Sequence, residues 1–158
     1  MRIVLDTNCL ILSLSPHSVY HTVWRSFVNG QNVLCVTTDI LFEYAEILPR
    51  FFSKELSEAI VSTIANAPFV VQVSPTYRFN LIQSDPDDNK FVDCAIVAGA
   101  RYIVSNDHHF NILRDTNSHP ERAKIEQKRP KIEQKTPKIE QKTPKNHKKM
   151  MEKYIIFL

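Results

Sequence analysis

The chain has few cysteines, few glycines and no long apolar run, and each shortage narrows what it can be. Its three cysteines, Cys9, Cys35 and Cys94, are odd in number, lack a CxxC spacing and sit inside apolar segments. This pattern argues against a disulfide framework or a cysteine zinc site and leaves buried, reduced thiols. No apolar run approaches the roughly 20 residues of a membrane span, and the opening MRIVLDTN lacks the layout of a signal peptide. A cytoplasmic protein with no membrane partner is the expectation. The two glycines, Gly30 and Gly99, both stand where a helix is expected to stop.

What is present suffices for one domain and a tail. The chain has 158 residues, 43% of them hydrophobic, enough to bury a core. Its net charge of +3 hides a division. Residues 1–120 carry eight Lys and Arg against twelve Asp and Glu, a balance of −4; residues 121–158 carry twelve against five, a balance of +7. The change coincides with a seven-residue repeat, KIEQKRP, KIEQKTP, KIEQKTP, starting at Lys124, Lys131 and Lys138. One Ile in seven residues makes no coiled-coil seam, and Pro130, Pro137 and Pro144 interrupt any helix. The expected organisation is a domain over 1–118, a disordered basic linker over 119–149 and a short hydrophobic segment over 150–158. Within that last segment YIIFL can either add to a sheet edge or remain exposed.

Short β-branched runs recur through the body at residues 2–5, 32–36, 69–73 and 101–105. Between them lie helical patterns at 19–28, 39–48, 53–67 and about 88–98, and a short helical piece at 108–113. Val19, Val23, Phe27 and Val28 are expected to share one helix face. Residues 74–84 read less clearly and are expected to carry a short helix. Strands alternating with helices predict an α/β domain, a three-layer α/β/α arrangement around a mostly parallel sheet of four to five strands.

The acidic residues cluster. DPDDNKFVD places Asp85, Asp87, Asp88 and Asp93 within nine residues at a helix start, where Asp87 or Asp88 can serve as cap. Asp6 follows the first strand, Asp107 follows the fourth, and Glu43 lies early in the helix after the second. In a parallel sheet all of these gather at the edge where the strands' carboxyl ends lie, the usual ligand edge of such folds. Ionised carboxylates in a partly dry pocket repel one another unless they hold protons or a cation. Oxygen ligands without organised His or Cys favour Mg²⁺ or Mn²⁺. His108 and His109 could orient a phosphate or ligate a metal, but read first as exposed residues at a helix start.

The opening strand with DTN, the helix TTDILFEYAEIL, the block DPDDNKFVDCAIVAGARYIV and the following SND resemble a PIN-domain ribonuclease of the kind found as the toxin of a toxin–antitoxin pair. The likeness runs over about residues 2–113, and the block is its most specific part. It implies an endoribonuclease using Mg²⁺ or Mn²⁺, with Asp6, Glu43, Asp88 and Asp107 as acidic quartet. Thr7 and Asn8 would support Asp6, Asn106 would stand beside the fourth acid, and Asp93 is a further possible ligand. The implied partners are RNA as substrate, a cognate antitoxin and a second copy in a homodimer. Two rivals belong to other classes. A phosphatase would want an Asp where Asn8 stands, and a receiver would want a Lys after a late strand, where Ser105-Asn106-Asp107 offers none. A noncatalytic RNA- or protein-binding module would have lost the activity while keeping the fold; the repeats replacing a last strand favour that reading, and the presence of all four acids argues against it.

Overall fold

The computed structural model describes residues 1–113 and 155–157. The strands are β1 (Arg2–Leu5), β2 (Val33–Val36), β3 (Val70–Gln72), β4 (Tyr102–Val104) and β5 (Ile155–Phe157), in the sheet order β3-β2-β1-β4-β5. The first four are mutually parallel, and β5 pairs antiparallel to β4 with Ile103 opposite Ile156. The C-terminal segment is thus a docked edge strand at Ile155–Phe157. The repeats and the boundaries at 118 and 149 lie outside the described residues.

Five helices connect the parallel strands. They are α1 (Thr7–Leu14), α2 (His21–Val28), α3 (Thr38–Ile47), α4 (Lys54–Asn66) and α5 (Asn89–Ala98). The path steps outward from β1 to β2 to β3 and then returns past β1 to β4. Right-handed crossovers put helices from these opposite moves on opposite faces, which makes the α/β/α sandwich. The reversal falls between β1 and β4, so the crevice beyond their carboxyl ends is the natural ligand position.

The core explains the strands. Ile3, Val4 and Leu5 of β1, Leu34, Cys35 and Val36 of β2 and Ile103 and Val104 of β4 are all buried. Helix α5 is also apolar on most sides, with Phe91, Val92, Cys94, Ala95 and Ile96 buried. Each large side chain so buried contributes roughly 1.5–3 kcal/mol. All three cysteines are buried and free.

Local signals set the helix ends. The Thr37 side chain accepts the Ile40 N–H at 3.2 Å, the Ser53 side chain accepts that of Leu56 at 3.2 Å, and Gly99 ends α5 at φ 59°. Helix α1 runs directly off β1 after Asp6. Two expectations differ from the structure. In α2 Val23 and Phe27, one turn apart, are buried, whereas Val19 precedes the helix and Val28 has rotated past the core face; both are exposed. Residues 74–84 form no helix, because side chains of α5 take their backbone groups instead. Asp93 Oδ1 accepts the Phe79 N–H at 3.0 Å, and the Asn89 carboxamide bonds both the N–H and the carbonyl of Ile82 at 2.9 and 2.7 Å.

Candidate metal centre at the carboxyl edge of the sheet

The register of β1 against β4 builds the centre of the site. Leu5 pairs with Val104, so Asp6 and Ser105 are the next residues beyond the paired strands. The Asp6 N–H continues the ladder to the Val104 carbonyl at 3.1 Å, and the Ser105 hydroxyl donates to Asp6 Oδ2 at 2.8 Å. That same Ser105 oxygen accepts the Asp107 N–H at 3.0 Å. One buried serine therefore fixes two acidic residues.

The third acid arrives from the turn before α5. Pro86–Asp88 forms a 3-10 turn whose first N–H groups are served by Asp85, which accepts from Asp87 N at 3.1 Å. The expected cap at Asp87 or Asp88 is absent; Asp85 takes that part, and the Asp88 carboxylate turns to His109. His109 Nδ1 lies 3.2 Å from Asp88 Oδ2 and 3.2 Å from Asp107 Oδ1, while the His109 N–H donates to Asp107 Oδ1 at 2.9 Å. His109 thereby ties Asp88 to Asp107. Its side chain is 23% exposed against 82% for His108, so the reading of two exposed histidines holds only for His108. Asp87 points outward, with its side chain 87% exposed, whereas that of Asp88 is 17% exposed.

Glu43 approaches from α3. Its Oε1 accepts the Thr7 hydroxyl at 2.5 Å, and Lys90 Nζ lies 2.6 Å from its Oε2. The Thr7 hydroxyl thus serves Glu43 and not the adjacent Asp6. Asn8 is exposed and acts on Asp6 through its backbone N–H. Asn106 is exposed too, and its backbone is what reaches inward, toward the Cys9 thiol. Asp93 is buried apart from this group, where Oδ1 holds Phe79 and Oδ2 has no hydrogen-bond partner. It lines a small cleft with Thr37, Asp39, Pro75, Arg78 and Lys90.

Electrostatics show the strain of this gathering. Burial, followed by the charges of Asp88 and Glu43, pushes the Asp6 carboxyl up to about 6, against the pull of Ser105 and the Asn8 N–H. Burial also raises Asp88, with Asp85 and Asp107 adding to the effect. Among the described residues, no Lys or Arg pairs with Asp6, Asp88 or Asp107. The donor set fits a divalent cation. Ligand atoms of Asp85, Asp88 and His109 lie within 4.8 Å of one another, as do those of Asp107, His108 and His109; neither group includes Asp6 or Glu43. Carboxylates that repel at close range are stabilised by such an ion.

A family model described as PIN domain matches residues 2–109, more than half of the chain and all four segments of the site. The chain belongs to the PIN domain family. PIN domains are generally nucleases. No curated protein matches this PIN domain. Among solved structures it is similar to a chain from the crystal structure of VapBC2 from Rickettsia felis bound to a DNA fragment from their promoter. That similarity has a TM-score of 0.49 at 16% identity and covers 68% of this chain and 88% of the other.

Sequence reasoning missed Ser105 and Lys90, which organise the PIN-domain site, and ranked His109 as exposed ahead of its reading as a ligand. Ser105 could have been found by counting one residue past each of two paired strands. Lys90 stands out only as a cation in the first turn of a helix, where cations are disfavoured. His109 carries no such mark, since its position follows from the 3-10 turn His108–Leu113 and from Phe110, which is fully buried behind it.

Proposed function

We propose that this PIN domain is a metal-dependent endoribonuclease in which Asp6, Asp88 and Asp107 hold one face of a Mg²⁺ or Mn²⁺ site and Glu43 completes the acidic edge. The observation that carries this reading is the chain of contacts Asp6–Ser105–Asp107–His109–Asp88, which links acids from three separate segments with no lysine or arginine among the described residues to neutralise them. A bound divalent ion would supply activation of water and neutralisation of charge at a phosphodiester, and it would make an acidic pocket attractive to a polyanion.

The protein's own groups have the task of holding the carboxylates. Ser105 and the Asn8 N–H keep Asp6 oriented and favour its ionised form. His109 spaces Asp88 from Asp107 and fixes which carboxylate oxygens remain free. Thr7, donating to Glu43, couples the start of α1 to α3 and so fixes the distance between the two halves of the site.

The motif resemblance supports a biological setting as well. In this reading the chain is the toxin of a toxin–antitoxin pair, acts on RNA in the cytoplasm, is blocked by a small cognate antitoxin and forms a homodimer. A fluorescently labelled RNA incubated with the purified chain and Mn²⁺ tests the activity. Cleavage is expected, abolished by EDTA and lost in Asp6→Asn and Asp88→Asn. A folded protein inactive on RNA with Mg²⁺ and with Mn²⁺ would overturn the proposal.

A further inference from the structure

Lys90 carries a positive charge into the acidic edge. It stands in the first turn of α5, where the partial positive charge of a helix start disfavours an ammonium. Its side chain is nevertheless only 15% exposed, a state lysine rarely adopts unless paired. Nζ lies 2.6 Å from Glu43 Oε2 and 3.0 Å from Asp87 Oδ2. Asp87 is almost wholly in solvent, and such a contact is worth little. Glu43, whose side chain is 21% exposed, is the partner that holds Lys90 in place.

The acidic edge therefore has two unlike halves. In one, Oε1 of Glu43 accepts the Thr7 hydroxyl, and Oε2, which takes no hydrogen bond, is ion-paired with the ammonium. In the other, Asp6, Asp88 and Asp107 meet, among the described residues, only Ser105, histidine and backbone donors. Hydrolases with two metal ions hold them about 3.5–4 Å apart on shared carboxylates. A tethered ammonium on Glu43 takes up the negative charge with which that residue would bind a second ion.

We infer that Lys90 is a positioning residue that takes the place of a second divalent cation, so that this site binds a single ion through Asp6, Asp88 and Asp107 and uses Glu43 to anchor the lysine. The inference rests on the proposed metal-dependent nuclease and adds the number of ions and the part played by Glu43. It also leaves a fixed positive charge at the acidic edge where α3 and α5 meet.

Bound Mn²⁺ counted by electron paramagnetic resonance on the full chain tests it, with folding checked by circular dichroism. Wild type and Lys90→Arg are expected to bind about one Mn²⁺ per chain, and Lys90→Met to gain a second, about two in all. Glu43→Gln is expected to keep the single ion, with affinity changed by less than the roughly tenfold that loss of a supporting ligand costs. Two ions on wild type, no gain in folded Lys90→Met, or loss of the ion in Glu43→Gln would each overturn the inference while leaving the nuclease reading intact. No ion on wild type would overturn both. Should Lys90→Met fail to fold, wild type and Glu43→Gln still decide the matter.

Discussion

The hydroxyl of Tyr44 donates to the carbonyl oxygen of Leu5, the last residue of β1, and both residues are buried. This bond joins α3 to the strand that delivers Asp6; Leu5 lies two residues before Thr7, and Tyr44 one after Glu43. Tyr44→Phe keeps the ring and leaves that carbonyl unsatisfied. The expected cost is about 1–2 kcal/mol, seen as a lower midpoint in urea denaturation with an unchanged slope. An unchanged midpoint would mean that the bond contributes nothing.

Phe110 is fully buried and meets the Phe91 ring edge-on at a centroid distance of 6.4 Å. It anchors the turn that carries His109 between Asp88 and Asp107. Phe110→Ala is expected to cost about 3–5 kcal/mol through the cavity it leaves. Binding of Mn²⁺, measured by calorimetry below the melting temperature, should weaken along with stability. Full affinity in a destabilised but folded variant would show that His109 does not depend on this anchor.

The fold was legible because its signals are local. Apolar runs such as RIVL and RYIVS end abruptly in polar residues, and between them the period changes from strand to helix. The segment 74–84 was not legible because its backbone partners, Asp93 and Asn89, come from a later helix and leave no trace in the segment itself. The acidic residues could be placed at one edge by topology alone. Which of them have protein partners could not, since the contacts of Glu43 with Lys90 and of Asp88 with His109 depend on the twist and register of elements far apart in the chain. Thr7 illustrates the difference: the resemblance implied a bond to Asp6, and the structure gives it Glu43.

Asp87 and Asp88 are neighbours with opposite surroundings. Asp87 lies in solvent beside Lys90, and Asp88 is largely covered and bonded to His109. Asp88→Asn is expected to weaken Mn²⁺ binding by at least the roughly 10- to 100-fold that loss of a supporting ligand costs, and to abolish RNA cleavage. Asp87→Asn removes an exposed ion pair worth at most about 1 kcal/mol and should leave both nearly unchanged. Reversal of this order in calorimetry would assign the ligand to Asp87.

Asp6 links stability to pH and to metal. The carboxyl of the unfolded chain titrates near 3.8, whereas burial and then the nearby Asp88 and Glu43 charges hold that of the folded chain at about 6. Between these values the folded state binds more protons than the unfolded one, so its stability is fully present below 3.8 and is lost as pH rises through 6. A difference of this size corresponds to roughly 3 kcal/mol, and the raised carboxyls of Asp88 and Asp93 act in the same direction. In EDTA the free energy of unfolding is therefore expected to fall between pH 5 and pH 7, and Asp6→Asn should flatten the decline. Mn²⁺ binds the ionised carboxylates, so saturating metal should reverse the trend and make the protein more stable at pH 7 than at pH 5. Urea titrations at the two pH values, with and without metal, measure all four corners. A metal-free protein that gains stability toward pH 7 would show that Asp6 does not sit in the crowded, repulsive environment on which the proposed chemistry depends.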